Sequence, residues 1–128
     1  MPSCYCGRRG CIETYLSGPA LIRDHALHTD DSLSPAEIDA RAAGGDRACE
    51  ATLQRYEARL GRALAGIVNI LDPQVIVLGG GLSNLKRLYR NLPACCGPHV
   101  FSDIFVTQIV PPIHGDSSGV RGAAWLWD

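Results

Sequence analysis

Three thiols fall within one short stretch, Cys4-Tyr5-Cys6-Gly7-Arg8-Arg9-Gly10-Cys11. Its two glycines let the backbone curl around a common centre, and thiolates at ~2.3 Å in a tetrahedron are the donors Zn²⁺ favours. Arg8 and Arg9 favour the thiolate forms. Structural zinc takes four ligands, and this stretch supplies three. His25, His28, His99 and His114 qualify by type for the fourth place, although none sits at a diagnostic spacing. The same spacing also suits a flexible loop of free cysteines or a redox pair.

Glu13 follows the last of these cysteines by two residues and opens a helical pattern. Its charge complements the N-terminal helix dipole, which makes it a first-turn carboxylate. Held rigidly beside a metal-stapled loop, it could instead accept hydrogen bonds from sugar hydroxyls. A third candidate is the turn after Val75-Ile76-Val77-Leu78, where Gly79, Gly80 and Gly81 precede Leu82-Ser83-Asn84. Glycines allow positive φ and close approach, and successive amides at a helix start can cradle a phosphate. The turn is neither a Walker A loop nor a dinucleotide G-x-G-x-x-G, and a tight turn without a ligand fits it equally.

These groups need elements to hold them. Cys4 to Gly10 reads as a tight loop feeding a helix from Ile12 to about His28, with Ile12, Tyr15, Leu16 and Leu27 on one face. Ser34-Pro35-Ala36-Glu37 signals a second helix, because Ser can cap, Pro fits the first position and Glu can reach back. It should run to Ala43 and end at Gly44-Gly45, with Asp46 capping the next. The series Cys49, Leu53, Tyr56, Leu60, Leu64, Ile67 and Leu71 predicts a long amphipathic helix with Glu50, Arg55, Glu57, Arg59 and Arg62 on other faces. Asp72-Pro73 stops it, and a buried strand follows at Val75–Leu78. Beyond come a helix over Asn84–Leu92, an irregular stretch over Pro93–Ser102, and a strand over Ile104–Val110 ended by Pro111-Pro112. A last helix should run to Trp125, capped by Asp116 or a serine. Alternating helices and strands indicate α/β packing.

The chain has 128 residues, 46% hydrophobic and 20% charged, which suits one folded domain and excludes a disordered linker. Twelve basic against thirteen acidic residues leave a net charge of −1, so no bulk field favours nucleic acid or an anionic membrane surface. Apolar runs such as Val75–Leu78 are far short of the ~20 residues needed to cross a bilayer. The first residues do not read as a signal peptide, so a reducing cytoplasm is the expected compartment, with thiols or a metal site favoured over disulfides.

Taken together, Cys4 to Glu13, Asn69-Ile70-Leu71-Asp72-Pro73-Gln74 with the strand and glycines to Gly81, and His114-Gly115-Asp116-Ser117-Ser118-Gly119-Val120-Arg121-Gly122-Ala123-Ala124 resemble the ROK sugar kinases. The likeness spans essentially the whole chain, and the ending from His114 to Trp127 looks most like the family's bacterial fructokinases. The resemblance implies that Cys4, Cys6 and Cys11 ligate structural Zn²⁺, with the fourth ligand from a histidine of an E-x-G-H motif. It implies that Glu13 contacts the sugar and that Gly79, Gly80 and Gly81 border the nucleotide. The implied fold is α/β, the C-terminal lobe of an actin-like ATPase (ribonuclease H-like) fold, incomplete. One lobe would span residues 1–128, with a zinc loop and first helix start at 1–18 and a nucleotide-cleft and dimerisation part at 19–128. The family's D-x-G-G-T loop, its Asn-Asp pair with the catalytic base, and E-x-G-H do not occur in this sequence.

The expected function is therefore part of an ATP-dependent hexose kinase, most like a fructokinase, inactive alone and dimeric. Its partners would be fructose and ATP with Mg²⁺, with neither nucleic acid nor membrane among them. The rival expectations are the sugar-sensing part of a ROK transcriptional repressor and a non-catalytic zinc and dimerisation module.

Overall fold

The computed structural model describes residues 1–102 and 104–127, with the backbone alone at Trp127. Its residues gather into two compact units, Met1–Leu60 and Gly61–Asp128.

In the first unit the cysteine loop feeds α1 (Glu13–Leu16), followed by α2 (Gly18–Thr29), α3 (Pro35–Ala43) and the start of α4 (Arg47–Leu71). The single helix expected from Ile12 to His28 is two. Ser17 is extended at φ −103° and ψ 165°, and its hydroxyl accepts from the Ala20 amide at 3.2 Å to start α2. Pro19 has no N–H with which to continue α1. The break resets the helical register, so Ile12 and Leu27 are exposed and share no buried face; Thr14, Ala20, Leu21 and His25 face inward instead.

At α3 the reciprocal cap forms as expected. The Ser34 hydroxyl accepts from the Glu37 amide at 3.3 Å, and the Glu37 carboxylate accepts from the Ser34 amide at 2.8 Å. The Asp46 carboxylate accepts from the Ala48 and Cys49 amides at 2.9 and 3.1 Å, satisfying donors that α4 leaves open at its start. Cys49, Leu53 and Tyr56 are buried as the stripe requires, and Glu57, expected on another face, is buried beside them.

The second unit holds the rest of α4, β1 (Val75–Val77), α5 (Lys86–Cys96), β2 (Gln108–Val110) and α6 (Ser118–Ala124). Here the inward face of α4 is Leu64, Ala65 and Val68, while Ile67 and Leu71 are exposed. The strands pair in parallel, Val75 with Gln108, Ile76 with Ile109 and Val77 with Val110. Only Ile109 is buried, so the expected buried strand instead exposes Val75 and Val77, one face of the two-stranded sheet being uncovered. The second strand is also shorter than Ile104–Val110. Its partner begins only at Val75, after Pro73, and Thr107 is occupied by a hydroxyl bond to the Pro73 carbonyl at 2.8 Å.

The helix expected at Asn84–Leu92 is displaced. Gly81–Asn84 is a single 3₁₀ turn, and α5 runs on through Pro93. Pro93 forfeits one backbone bond, but Leu88, Leu92 and Cys96 recur every fourth residue and are all fully buried, which holds the helix together past it. A 3₁₀ turn at Gly97–His99 closes the segment. No side chain caps α6, contrary to the expected Asp116 or serine, because Asp116 is engaged elsewhere. This last helix ends at Ala124, and Trp125–Trp127 form a 3₁₀ turn. Among the described residues no helix is long and apolar enough to cross a membrane.

Candidate functional site

The cysteine loop is a closed hairpin. Ser3 and Arg9 form an antiparallel bridge, the Cys4 amide donates to the Arg8 carbonyl at 2.8 Å, and the Gly7 amide donates to the Cys4 carbonyl at 3.0 Å. Gly7 and Gly10 take φ of +83° and +74°, where an L side chain is strained. At Gly10 a Cβ would also meet the Met1 Sδ at 2.7 Å. This geometry brings the sulfurs of Cys4, Cys6 and Cys11 within 4.8 Å of one another, with Cys6 and Cys11 3.6 Å apart. A tetrahedral zinc with bonds of ~2.3 Å separates its ligand sulfurs by about 3.8 Å, so the donors fit that ion.

Two of the thiols are shifted, in opposite directions. The backbone amide of Arg8, then Cys4 and Cys11, hold the Cys6 thiol below its ordinary value, while hydrogen bonding to Cys6 and then Cys4 pushes Cys11 up to about 11. Among the described residues the cluster comprises these three alone. His25 is buried with its Nδ1 3.0 Å from the Thr52 hydroxyl, and the His28 Nδ1 lies 2.7 Å from the Asp24 carbonyl. The His25 ring is thus engaged by α4 and the His28 ring by its own helix.

Glu13 stands on the first turn of α1, directly after the loop. Thr14, behind it, anchors the helix start by donating its hydroxyl to the Cys11 carbonyl at 2.6 Å. Glu13 is exposed and lines an open cleft of about 420 Å³ with Ser3, Cys4, Tyr5, Ser17 and Arg23. Sequence reasoning paired the cysteines with Glu13 but missed Arg23, which only the fold brings to the same cleft.

A network unseen in the sequence fixes the helices carrying this cleft. Asp24 of α2 accepts from Arg55 at 2.8 Å and from Arg59 at 2.8 Å, both on α4. Partial burial works to raise the Asp24 pKa, but hydrogen bonds and charge from Arg59 and then Arg55 prevail and hold its carboxyl below the usual range. The Arg59 guanidinium lies over the Tyr15 ring, 5.7 Å from its centroid, and the Tyr56 hydroxyl donates to the Leu16 carbonyl at 3.3 Å. Two residues of α1 are therefore tied to α4. The four-residue spacing of Arg55 and Arg59 was visible in the sequence, whereas their partner, some thirty residues earlier, was not.

In the second unit the glycine turn and the His114–Gly119 loop come together. The Gly80 amide donates to the Asp116 carbonyl at 3.3 Å, and the Asn84 amide group donates to the Asp116 carboxylate at 3.1 Å. Gly80 takes φ +75°, and Ser83, buried beneath it, donates its hydroxyl to the Gly80 carbonyl at 2.7 Å. A Cβ at Gly79, Gly80 or Gly81 would meet no atom within 4 Å, so this side of the turn is open. The turn runs into the 3₁₀ segment rather than directly into an α-helix, and the amides available to an anion are fewer than a full helix start supplies. In the same unit His114, Ser118, Arg121, Gly122 and Trp125 line a cleft of about 570 Å³.

The model of the ROK family matches residues 1–128. The N-acetyl-D-glucosamine kinase of Photobacterium profundum is 41% identical over 124 residues, taking in 97% of this chain and 41% of that enzyme. Among solved structures, a ROK hexokinase from Thermus thermophilus superimposes with a TM-score of 0.80 at 28% identity, covering 96% of this chain and 42% of that one. A ROK family glucokinase from Streptomyces griseus, in complex with glucose and AMPPNP, gives 0.82 at 25% identity, covering 94% of this chain and 45% of that one. The chain thus spans about two fifths of the length of the curated relatives it matches. Over the part spanned, the fold is the α/β actin-like fold of these sugar kinases, and the chain belongs to the ROK family.

Proposed function

We propose that this chain is the sugar-contacting and nucleotide-bordering part of an ATP-dependent ROK sugar kinase, a single C-terminal lobe over residues 1–128, whose substrate is an N-acetylated hexosamine. The observation that carries the reading is the exposed Glu13 carboxylate, set on the cleft beside the cysteine loop with no hydrogen-bond or ion-pair partner among the described residues. A carboxylate there is an acceptor only, suited to adjacent sugar hydroxyls. The resemblance to fructokinases pointed to fructose; the kinship with N-acetyl-D-glucosamine kinases moves the proposed sugar to that class.

In this reading Cys4, Cys6 and Cys11 hold a structural Zn²⁺, which when bound would deprotonate the thiols and pin the loop that walls the cleft. Glu13 orients the sugar. Gly79, Gly80 and Gly81 let the backbone border the phosphates of ATP with Mg²⁺, and the Asp116 contacts to Gly80 and Asn84 fix the turn in that posture. The reaction transfers the γ-phosphoryl group of ATP to a sugar hydroxyl, which requires a base to take the hydroxyl proton. No Asn-Asp pair occurs in the sequence, so this chain binds without turning over on its own. The proposed compartment is the cytoplasm, with neither nucleic acid nor membrane as partner. The exposed Ile67, Ile70, Leu71, Val75 and Val77 support a homodimer.

Titration of the purified chain with N-acetylglucosamine, followed by amide chemical shifts, tests the sugar site. Saturable shifts at Glu13 and its neighbours are expected, together with no phosphorylation above background when Mg-ATP is added. Absence of saturable shifts with any hexose overturns the sugar-site reading, and turnover well above background overturns the division of labour.

A further inference from the structure

The cleft beside the cysteine loop holds two opposite charges that leave each other alone. Glu13 and Arg23 both line it, yet no ion pair joins them. Among the described residues the single hydrogen bond of the Arg23 guanidinium is a long one, from Nη2 to the Thr14 carbonyl at 3.5 Å. That contact steers the side chain toward α1 and leaves most of its five donors for something else. The Tyr5 ring, 94% exposed, adds an apolar plate to the same cleft.

A net-neutral ligand with both donors and acceptors matches this lining better than an ion of either sign, because each charge would repel one sign of ion. The two charged groups also differ in what they can read. Glu13 only accepts, so it suits hydroxyls. Arg23 only donates, so it needs acceptors, and the strongest acceptor on a neutral amino sugar is the carbonyl of its acetamido group. Glucose and fructose offer only hydroxyl and ring oxygens, which are weaker partners for a guanidinium. Resting on the sugar-site reading above, we infer that Arg23 is a specificity-determining residue, donating to the acetamido carbonyl of an N-acetylated hexosamine while Glu13 holds its hydroxyls.

Affinities of the 128-residue chain for N-acetylglucosamine, glucose and fructose, measured by chemical-shift titration, separate the two readings. Removing a charge-assisted hydrogen bond from Arg23→Gln should weaken N-acetylglucosamine about ten-fold or more, with glucose changed about two-fold at most. Arg23→Lys should recover part of the loss, because a charged donor remains where Gln offers only a neutral one. Dispersed amide spectra like those of the unsubstituted chain establish that each variant is folded; should Arg23→Gln unfold, Arg23→Lys carries the comparison, its loss then falling on N-acetylglucosamine alone. If the unsubstituted chain binds sugars and the Arg23 variants weaken all three equally, or none, the role of Arg23 is overturned and the Glu13 site stands. If the unsubstituted chain binds none of the three, both readings fall together.

Discussion

Gly61 lies in α4 where α5 approaches closely, and a single methyl group there should separate the two helices. A Cβ built on Gly61 would fall 2.5 Å from the Cys95 Cβ, 2.7 Å from its carbonyl carbon and 2.8 Å from its carbonyl oxygen. Carbon atoms pack best at about 3.5–4.0 Å, so the shortfall is roughly 1 Å or more. Two of the three atoms are backbone, and no rotamer change relieves them. Overpacking of this kind costs about 1–3 kcal/mol, and the upper part of that range applies to backbone clashes. Alanine regains about 1 kcal/mol of helix propensity over glycine, so Gly61→Ala should destabilise by a net ~1–2 kcal/mol. Gly66, further along the same helix, is exposed, and a methyl group added to it would meet no atom within 4 Å. Gly66→Ala should therefore stabilise by about 1 kcal/mol. Denaturant unfolding followed by far-UV circular dichroism compares the midpoints directly, with unchanged slopes confirming that the unfolded states match. A Gly61→Ala midpoint equal to or above that of the unsubstituted chain would refute the close approach.

Three further outcomes are expected. Ser34→Ala removes one half of the α3 capping box and should cost about 1 kcal/mol in the same unfolding assay, whereas Ser34→Asn or Ser34→Asp should cost less. Asp24 binds its proton less readily when folded than when unfolded. Its contribution to stability is therefore complete above the unfolded carboxyl value of about 3.9 and is lost as pH falls through the lower folded value. Stability curves of Asp24→Asn should accordingly lack part of the acid-limb slope seen in the unsubstituted chain, and superimposable slopes would remove Asp24 from the account. Zinc reconstitution under reducing conditions should load close to one equivalent through Cys4, Cys6 and Cys11, and Cys6→Ser should weaken it strongly; metal analysis finding under about a tenth of an equivalent in the unsubstituted chain would count against the site.

What could be read in the sequence depended on whether its cause was local. The Ser34 cap, the Asp46 cap and the tight cysteine hairpin follow from side chains reaching backbone a few residues away, and each stands where the residue types put it. The boundary at Ser17 was also local in cause, an extended serine before Gly18-Pro19, but apolar residues on both sides suggested one continuous helix and masked it. Pro93 misled in the opposite direction. Its missing N–H argued for an end, yet burial of Leu88, Leu92 and Cys96 outweighs one lost backbone bond, a tertiary effect that no local rule contains. The candidate sites divide along the same line: the thiols and Glu13 are sequence neighbours and could be grouped at once, whereas Asp116 reaches Gly80 and Asn84 only after β2 has paired with β1.

That pairing also accounts for what the glycine turn can do. With no Cβ on Gly79, Gly80 or Gly81 and open space where one would be, the turn has room for a ligand but little of its own to keep its shape. Shape comes instead from below and from the side, through the buried Ser83 hydroxyl on the Gly80 carbonyl, the Tyr89 hydroxyl donating to the Ser83 carbonyl at 2.6 Å, and Asp116 on Gly80 and Asn84. Replacing Asp116 by Ala would leave its backbone contact to Gly80 and remove the bonds that its carboxylate accepts from Asn84 and from the Ser117 hydroxyl, so the turn should loosen without unfolding. A phosphate held by backbone amides depends on their alignment, so weaker nucleotide binding with unchanged global stability is the pattern that distinguishes a pre-shaped ligand turn from a merely structural one.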